Sequence, residues 1–203
     1  PFTYYDEDGK TLIGYDVDLL NDLQELLGFE IDGGLQAMDY SALTTSLAEN
    51  KLDIGAAALC ATDERKEVMK FSDIYCDSGQ VVMVNKSNDE GIKSVDDLKG
   101  KKVAVGASGS GAEANARQIL EAYGITYNDI DVQYLSFGEA VDALKDGNVD
   151  AAFLTAGYPT ASVQDICSQN KIRLLAVDAD KADALIAKYP FYTKTTIPAG
   201  TYA

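Results

Sequence analysis

A chain of 203 residues with 46% hydrophobic content can bury a sizeable core, as one large domain or two small ones. Its formal net charge of −16 argues against nucleic acid as a partner and against docking on anionic membrane surfaces. An anionic ligand would have to be caught by local donors working against that field.

No apolar run is long enough to span a bilayer, and no basic segment followed by an apolar stretch opens the chain. The strand-like FTYY just after Pro1 leads us to expect an upstream segment, such as a signal peptide, outside this sequence. Three cysteines are too few and too scattered for a disulfide scaffold, and a Cys60–Cys76 bridge is left open. With no histidine and no paired-cysteine spacing, neither a metal site nor a cofactor is expected.

In chain order, apolar side chains at helical spacing predict a helix over 15–27, stopped by Gly28. A short strand is predicted from Phe29, a helix over 41–50 and an apolar strand over 52–59. The run GQVVMVN at 79–85 reads as β, and 86–91 as a connection. The pattern then restarts with a short helix at 95–98, a strand at 102–106, a helix over 110–123 ended by Gly124, and a strand at 131–135. A helix at 137–145, strand 149–154, helix 160–168, strand 172–177 and helix 181–188 complete it. Such alternation points to parallel sheets in βαβ units.

The segment from Tyr40 through Leu47 to Asp53 is echoed without a gap by Phe137 through Leu144 to Asp150. An aromatic opens each helix, a turn follows at Asn50-Lys51 or Gly147-Asn148, and an apolar residue plus Asp opens a strand. Two similar α/β lobes are therefore expected, with a ligand cleft between them. The loops after the paired strands, 58–62 and 155–158, should line it.

Arg65 follows the apolar run directly and begins a short polar turn, where a strand's carboxyl end delivers side chains to the ligand crevice. A guanidinium grips a carboxylate through two parallel hydrogen bonds. The competing reading is a surface arginine paired with Asp63 or Glu64. Around it, Ala58, Cys60 and Thr62 form the loop, and Tyr40 could offer a ring face to the ligand. In the second half GASGSGAE brings Ser108, Gly109, Ser110 and Gly111 to a helix N-terminus, a ready anion site that lacks the Lys-Ser/Thr of a nucleotide loop. Thr155, Gly157 and Tyr158 complete the candidate set. Catalysis finds little support: no histidine is present, and Asp63 and Glu64 beside Cys60 would raise its pKa.

Residues 1–87, through PFTYYDEDGKTLIGYDVDL, MDYSALTTSLAENKLDI and ATDERKEVMKFSDIYCDSGQ, resemble the first lobe of polar amino-acid-binding proteins that serve ABC transporters. From about Gly91, the segments GIKSVDDLKGKKVAVGASGSGAE and YLSFGEAVDALKDGNVDAAFLTAGYPTASVQDI resemble the TAXI class of solute receptors of TRAP transporters. The resemblance implies a two-lobed, type II periplasmic-binding-protein-like α/β fold, with lobe 1 at 1–84, a hinge at 85–91 and lobe 2 at 92–203. It implies that Arg65 binds a ligand α-carboxylate and that Tyr40 stacks on the ligand. Two positions depart from the pattern: Cys60 stands where a hydroxyl residue is expected, and Thr155 where an Asp usually holds the α-ammonium. Both families carry a core strand upstream of the position of Pro1 and a return to the first lobe, so a first lobe short of strands is expected.

The function implied is a periplasmic or extracellular receptor, lipid-anchored in a Gram-positive cell. It would capture a glutamate-like amino acid or dicarboxylate by hinge closure, as a monomer, and deliver it to a membrane permease. A sensor domain of a signalling receptor is the alternative, and an enzyme on the same fold is the more distant one.

Overall fold

The computed structural model describes residues 2–76, 78–86, 91–168 and 172–202. The chain divides into two compact units, Pro1–Asp73 and Ile74–Ala203.

The first unit opens with a two-stranded antiparallel hairpin, β1 (Tyr4–Tyr5) and β2 (Leu12–Ile13). Its turn is held by Asp8, whose carboxylate accepts from the Lys10 and Thr11 amides at 2.8 Å each and from the Thr11 hydroxyl at 2.6 Å. Helix α1 (Tyr15–Leu27) carries Asp16 and Asp18 in its first turn, where negative charge suits the helix dipole. It ends at Gly28, left-handed at φ 70°, as the glycine stop predicts. Helix α2 (Tyr40–Ala48) and the short α3 (Asp63–Lys66) follow.

The strands predicted from Phe29 and over 52–59 do not form. A strand exists only with a ladder partner, and among the described residues of this unit the only paired strands are β1 and β2. The 52–59 run is instead irregular and half-buried, with Ala58 at φ 47°. Among the described residues, the unit's buried apolar side chains are Val17 and Leu43, while Leu26, Leu27 and Ile54 are exposed.

The second unit is built on a five-stranded sheet with spatial order β5-β4-β6-β3-β7. Its strands are β3 (Gly79–Asn85), β4 (Lys102–Ala104), β5 (Asp131–Gln133), β6 (Ala151–Ala156) and β7 (Ile172–Leu175). Strand β4 runs parallel to β5 and β6, whereas β3 runs antiparallel to both β6 and β7. The sheet is therefore mixed rather than purely parallel. Residues 79–85 are an interior strand of this unit, although the sequence reading ends the first lobe at 84. An apolar run with a ladder partner on each side keeps them there. Of the connector expected at 85–91, residues 87–90 lie outside the described residues.

Helices cover both faces of the sheet: α4 (Gly111–Ala122), α5 (Phe137–Lys145), α6 (Ala161–Ser168) and α7 (Ala179–Lys188). Strand alternation assigns the core accordingly. Val82, Val84 and Phe153 pack with Leu120 of α4 and Leu185 of α7, while Met83, Ala152 and Leu154 pack with Leu144 of α5 and Ile166 of α6.

The echoed segments end their helices in the same way. Asn50 and Gly147 are both left-handed, at φ 56° and 76°. Lys51 N donates to Ser46 O and Asn148 N to Ala143 O, each at 2.8 Å, and the preceding amides bond to Leu47 O and Leu144 O at 3.1 and 3.2 Å. Both are Schellman stops. The second copy continues into β6 and the first does not.

Short caps punctuate the second unit. Ser136 and Glu139 form a capping box on α5, Ser94 and Asp97 one on the 3-10 turn Val95–Leu98, and Thr126 and Asp129 one on Tyr127–Asp129. Hydrogen bonds to these carboxylates, and those from Thr11 and Lys10 to Asp8, hold all four pKa values below the ordinary carboxylate range. A depressed folded-state pKa gives stability that is complete above the unfolded value and lost as pH falls through the folded one. Melting temperature measured from pH 6 to pH 3 should therefore fall steadily below about pH 4.5. Replacing Glu139 by Gln should flatten the profile.

Candidate functional site

In the first unit the irregular run 58–62 leads into α3. The Thr62 hydroxyl caps that turn by accepting from Arg65 N at 3.4 Å. Arg65 is half-buried, and its Nη1 donates to the Cys60 carbonyl at 3.0 Å, which fixes the guanidinium against the loop that precedes it. Asp63 forms an ion pair with Lys66 at 3.4 Å, on the exposed side of the turn.

Tyr40 stands at the first position of α2 and is half-buried. Burial, and next the negative charge of Asp16, raise its phenol above the usual range, while the Arg65 charge pulls it back. Asp16, Arg65 and Cys60 thus each lie within electrostatic reach of Tyr40. Asp16 was not among the sequence candidates. It is only 1% exposed, and its Oδ2 accepts from Ala58 N at 3.1 Å. That bond clamps the left-handed residue at the start of the loop to the first turn of α1. The one available signal was an acidic residue directly after the glycine that opens an amphipathic helix.

In the second unit, Ser110 is the N-cap of α4 and its hydroxyl accepts from Glu113 N at 3.1 Å. Ser108 is exposed, Ser110 and Gly111 are buried, and Gly109 is left-handed at φ 74°. The turn is tight: a Cβ on Gly106, at φ 103°, would stand 2.9 Å from both Ala112 Cβ and Glu113 N. Close strand-to-helix geometry thus accounts for Gly106.

Thr155 sits near the end of β6, with Gly157 and Tyr158 exposed beyond it. Its hydroxyl donates to Gln80 Oε1 and accepts from Asn115 Nδ2 of α4 at 3.4 Å. The Tyr192 hydroxyl lies 2.7 Å from both Asn115 Oδ1 and Gln118 Oε1. These side chains are all neutral, so this cluster around Thr155 contains no carboxylate. Ser110 and Thr155 are tied together through α4, just as Arg65, Cys60, Thr62 and Tyr40 are gathered in the first unit. Gln80 and Asn115 escaped the sequence reading because their neighbours are distant along the chain.

Among the described residues there is no cluster of metal-ligating side chains, and no helix is long and apolar enough to cross a membrane.

A model of the NMT1-like family matches residues 38–203. The arginine-binding extracellular protein ArtP of Bacillus subtilis (strain 168) is 32% identical over 154 residues, which cover 76% of this chain and 56% of that protein. The L-cystine-binding protein TcyJ of Escherichia coli (strain K12) is 34% identical over 152 residues, 74% of this chain and 53% of that one. The chain spans about half the length of these curated relatives. Among solved structures, an ancestral arginine-binding protein bound to arginine matches with a TM-score of 0.67 at 29% identity, over 100% of this chain and 89% of that chain. The amino-acid-binding likeness therefore extends beyond residues 1–87, into the half where the TAXI resemblance was drawn.

Proposed function

The chain belongs to the NMT1-like family and has the α/β fold of two-lobed solute-binding proteins, and from that premise we propose that it captures a small amino acid outside the cytoplasm and delivers it to an ABC transporter permease. The observation that carries this reading is Arg65, half-buried and anchored to the Cys60 carbonyl on a turn capped by Thr62. That geometry suits a guanidinium that receives a ligand's α-carboxylate. Tyr40, beside it, would cover the ligand's apolar stem. In the second unit the Ser108–Gly111 turn and the loop of Thr155, Gly157 and Tyr158 are the proposed contacts. Capture by hinge closure belongs to the same reading.

The ligand is proposed to be an amino acid carried by its carboxylate. Dicarboxylates, which the TAXI-like pattern suggests, form the second ligand class to be tested, and a TRAP permease would be their partner. The full-length likeness to an arginine-binding protein favours the first. No catalytic step is proposed.

A thermal-shift screen tests this directly, because a ligand that binds only the folded chain stabilises it by about 2.7 kcal/mol at a hundredfold excess over Kd and so raises its melting temperature. We expect a rise with at least one of L-arginine, L-cystine, L-glutamine, L-histidine or L-glutamate, and none with their decarboxylated amines. A rise with 2-oxoglutarate and with no amino acid would transfer the reading to the dicarboxylate class. An unmoved melt across the panel would defeat it.

A further inference from the structure

Gln80 is the second residue of β3, and since β3 runs antiparallel to β6 its register partner is Thr155. The antiparallel crossing carries the amino end of β3 to the carboxyl edge of the parallel strands β4, β5 and β6. Open α/β sheets bind their ligands at that edge. There the Gln80 side-chain oxygen already accepts from the Thr155 hydroxyl. Its Nε2 is buried, and no described residue accepts from it. A buried amide donor left unmade is costly, and nearly all such groups in folded proteins have a partner.

The surroundings state which partner fits. The Thr155 hydroxyl bonds to both Gln80 and Asn115, and the Tyr192 hydroxyl meets the side-chain oxygens of both Asn115 and Gln118. All of these groups are neutral, so the cluster has an N–H to give and no charge with which to hold a cation. Helix α4, which supplies Asn115, presents its N-terminus at the same edge, and that end of a helix favours negative charge.

Resting on the receptor reading above, we propose that Gln80 is a ligand-binding residue whose Nε2 donates to an oxygen of the bound solute, a carboxylate or carbonyl. The second unit then selects its ligand by an acceptor atom, and an ammonium group has no counter-ion there.

The test is isothermal titration of the intact chain, Gln80→Glu and Gln80→Met with L-arginine, L-cystine and L-glutamine, beside melts of each ligand-free protein. Glutamate keeps the acceptor for Thr155 and removes the donor, and methionine keeps the shape alone. The expected result is binding by the parent chain, a Kd weaker by roughly 10-fold or more in Gln80→Met and weaker still in Gln80→Glu, where an oxygen faces an oxygen. Unchanged Kd values in both variants, with lowered ligand-free melting temperatures, would mean that a resident water satisfies Nε2, and would overturn the proposal. Tighter binding by Gln80→Glu would place a ligand donor at this position and overturn it equally. Either variant alone separates these outcomes if the other does not fold. A parent chain that binds none of the three probes removes the receptor reading for them and this proposal with it, whereas binding that ignores Gln80 removes the proposal alone.

Discussion

If Arg65 receives the ligand carboxylate as proposed, Arg65→Ala should weaken amino-acid affinity by about 100-fold or more, because a bidentate guanidinium–carboxylate pair contains two charge-assisted hydrogen bonds of roughly 1.5–3 kcal/mol each. A 100-fold loss corresponds to about 2.7 kcal/mol, below the sum of the two bonds, so the expectation leaves room for a water to replace part of the contact. The ligand-free protein should change less. It loses the bond from Nη1 to the Cys60 carbonyl, worth about 1 kcal/mol, and melts a few degrees lower with its cooperativity intact. Arg65→Lys separates charge from geometry: the ammonium keeps the attraction and loses the fork, so its Kd should fall between the parent and the alanine variant. Titration calorimetry on the three proteins checks the order. Full affinity in Arg65→Ala would place the carboxylate on other donors, the Ser108–Gly111 turn being the first to examine.

Phe153→Ala should be the most damaging single truncation in the second unit. Phe153 is fully buried at the centre of β6 and packs between Val82, Val84 and Leu120. Removing a buried phenylalanine costs about 3–5 kcal/mol through lost transfer energy and the cavity left behind. Against a domain stability of about 5–15 kcal/mol, that takes the unit close to its unfolding threshold. Urea denaturation followed by far-UV circular dichroism should show a lower midpoint with little change in slope. Leu26→Ala is the control. Leu26 is 79% exposed on α1, and its truncation should move stability by less than about 0.5 kcal/mol. A Leu26 effect comparable to that of Phe153 would show that this face of α1 is covered in solution.

Much of the second unit was legible because its signals are local. Gly124 and Gly147 stop helices where they stand in the sequence, and Ser136 with Glu139 marks the start of α5 three residues apart. The strands predicted at 102–106, 131–135, 149–154 and 172–177 all appear within two residues at one end or the other. The 52–59 run shows what local reading cannot supply. Its composition is that of a strand, but a ladder needs a neighbour, and the neighbour is a property of the fold. The orientation of β3 was hidden for the same reason, since an apolar run carries no arrow.

The site followed the same division. Arg65 and Thr62 could be picked out because an apolar run, a cap and a polar turn follow one another in the chain. Asp16 reaches Ala58 across forty-two positions and Gln80 reaches Thr155 across seventy-five, so neither bond leaves a trace in the order of residues. The burial of Asp16 also runs against composition, which gives polar residues a surface by default.

The place of β3 in its sheet has a consequence for how the protein is made. Both of its ladder partners, β6 and β7, lie far downstream, with Gly79 paired to Ala156 and Asn85 to Ile172. On a ribosome β3 emerges first and waits, through the synthesis of β4, α4, β5 and α5, with an apolar run and two open edges exposed. Non-local pairing of this kind slows folding, and an unpaired apolar strand is a template for association between nascent chains. The segment that holds the finished sheet together from the inside is thus the one most in need of shelter until the last third of the chain arrives.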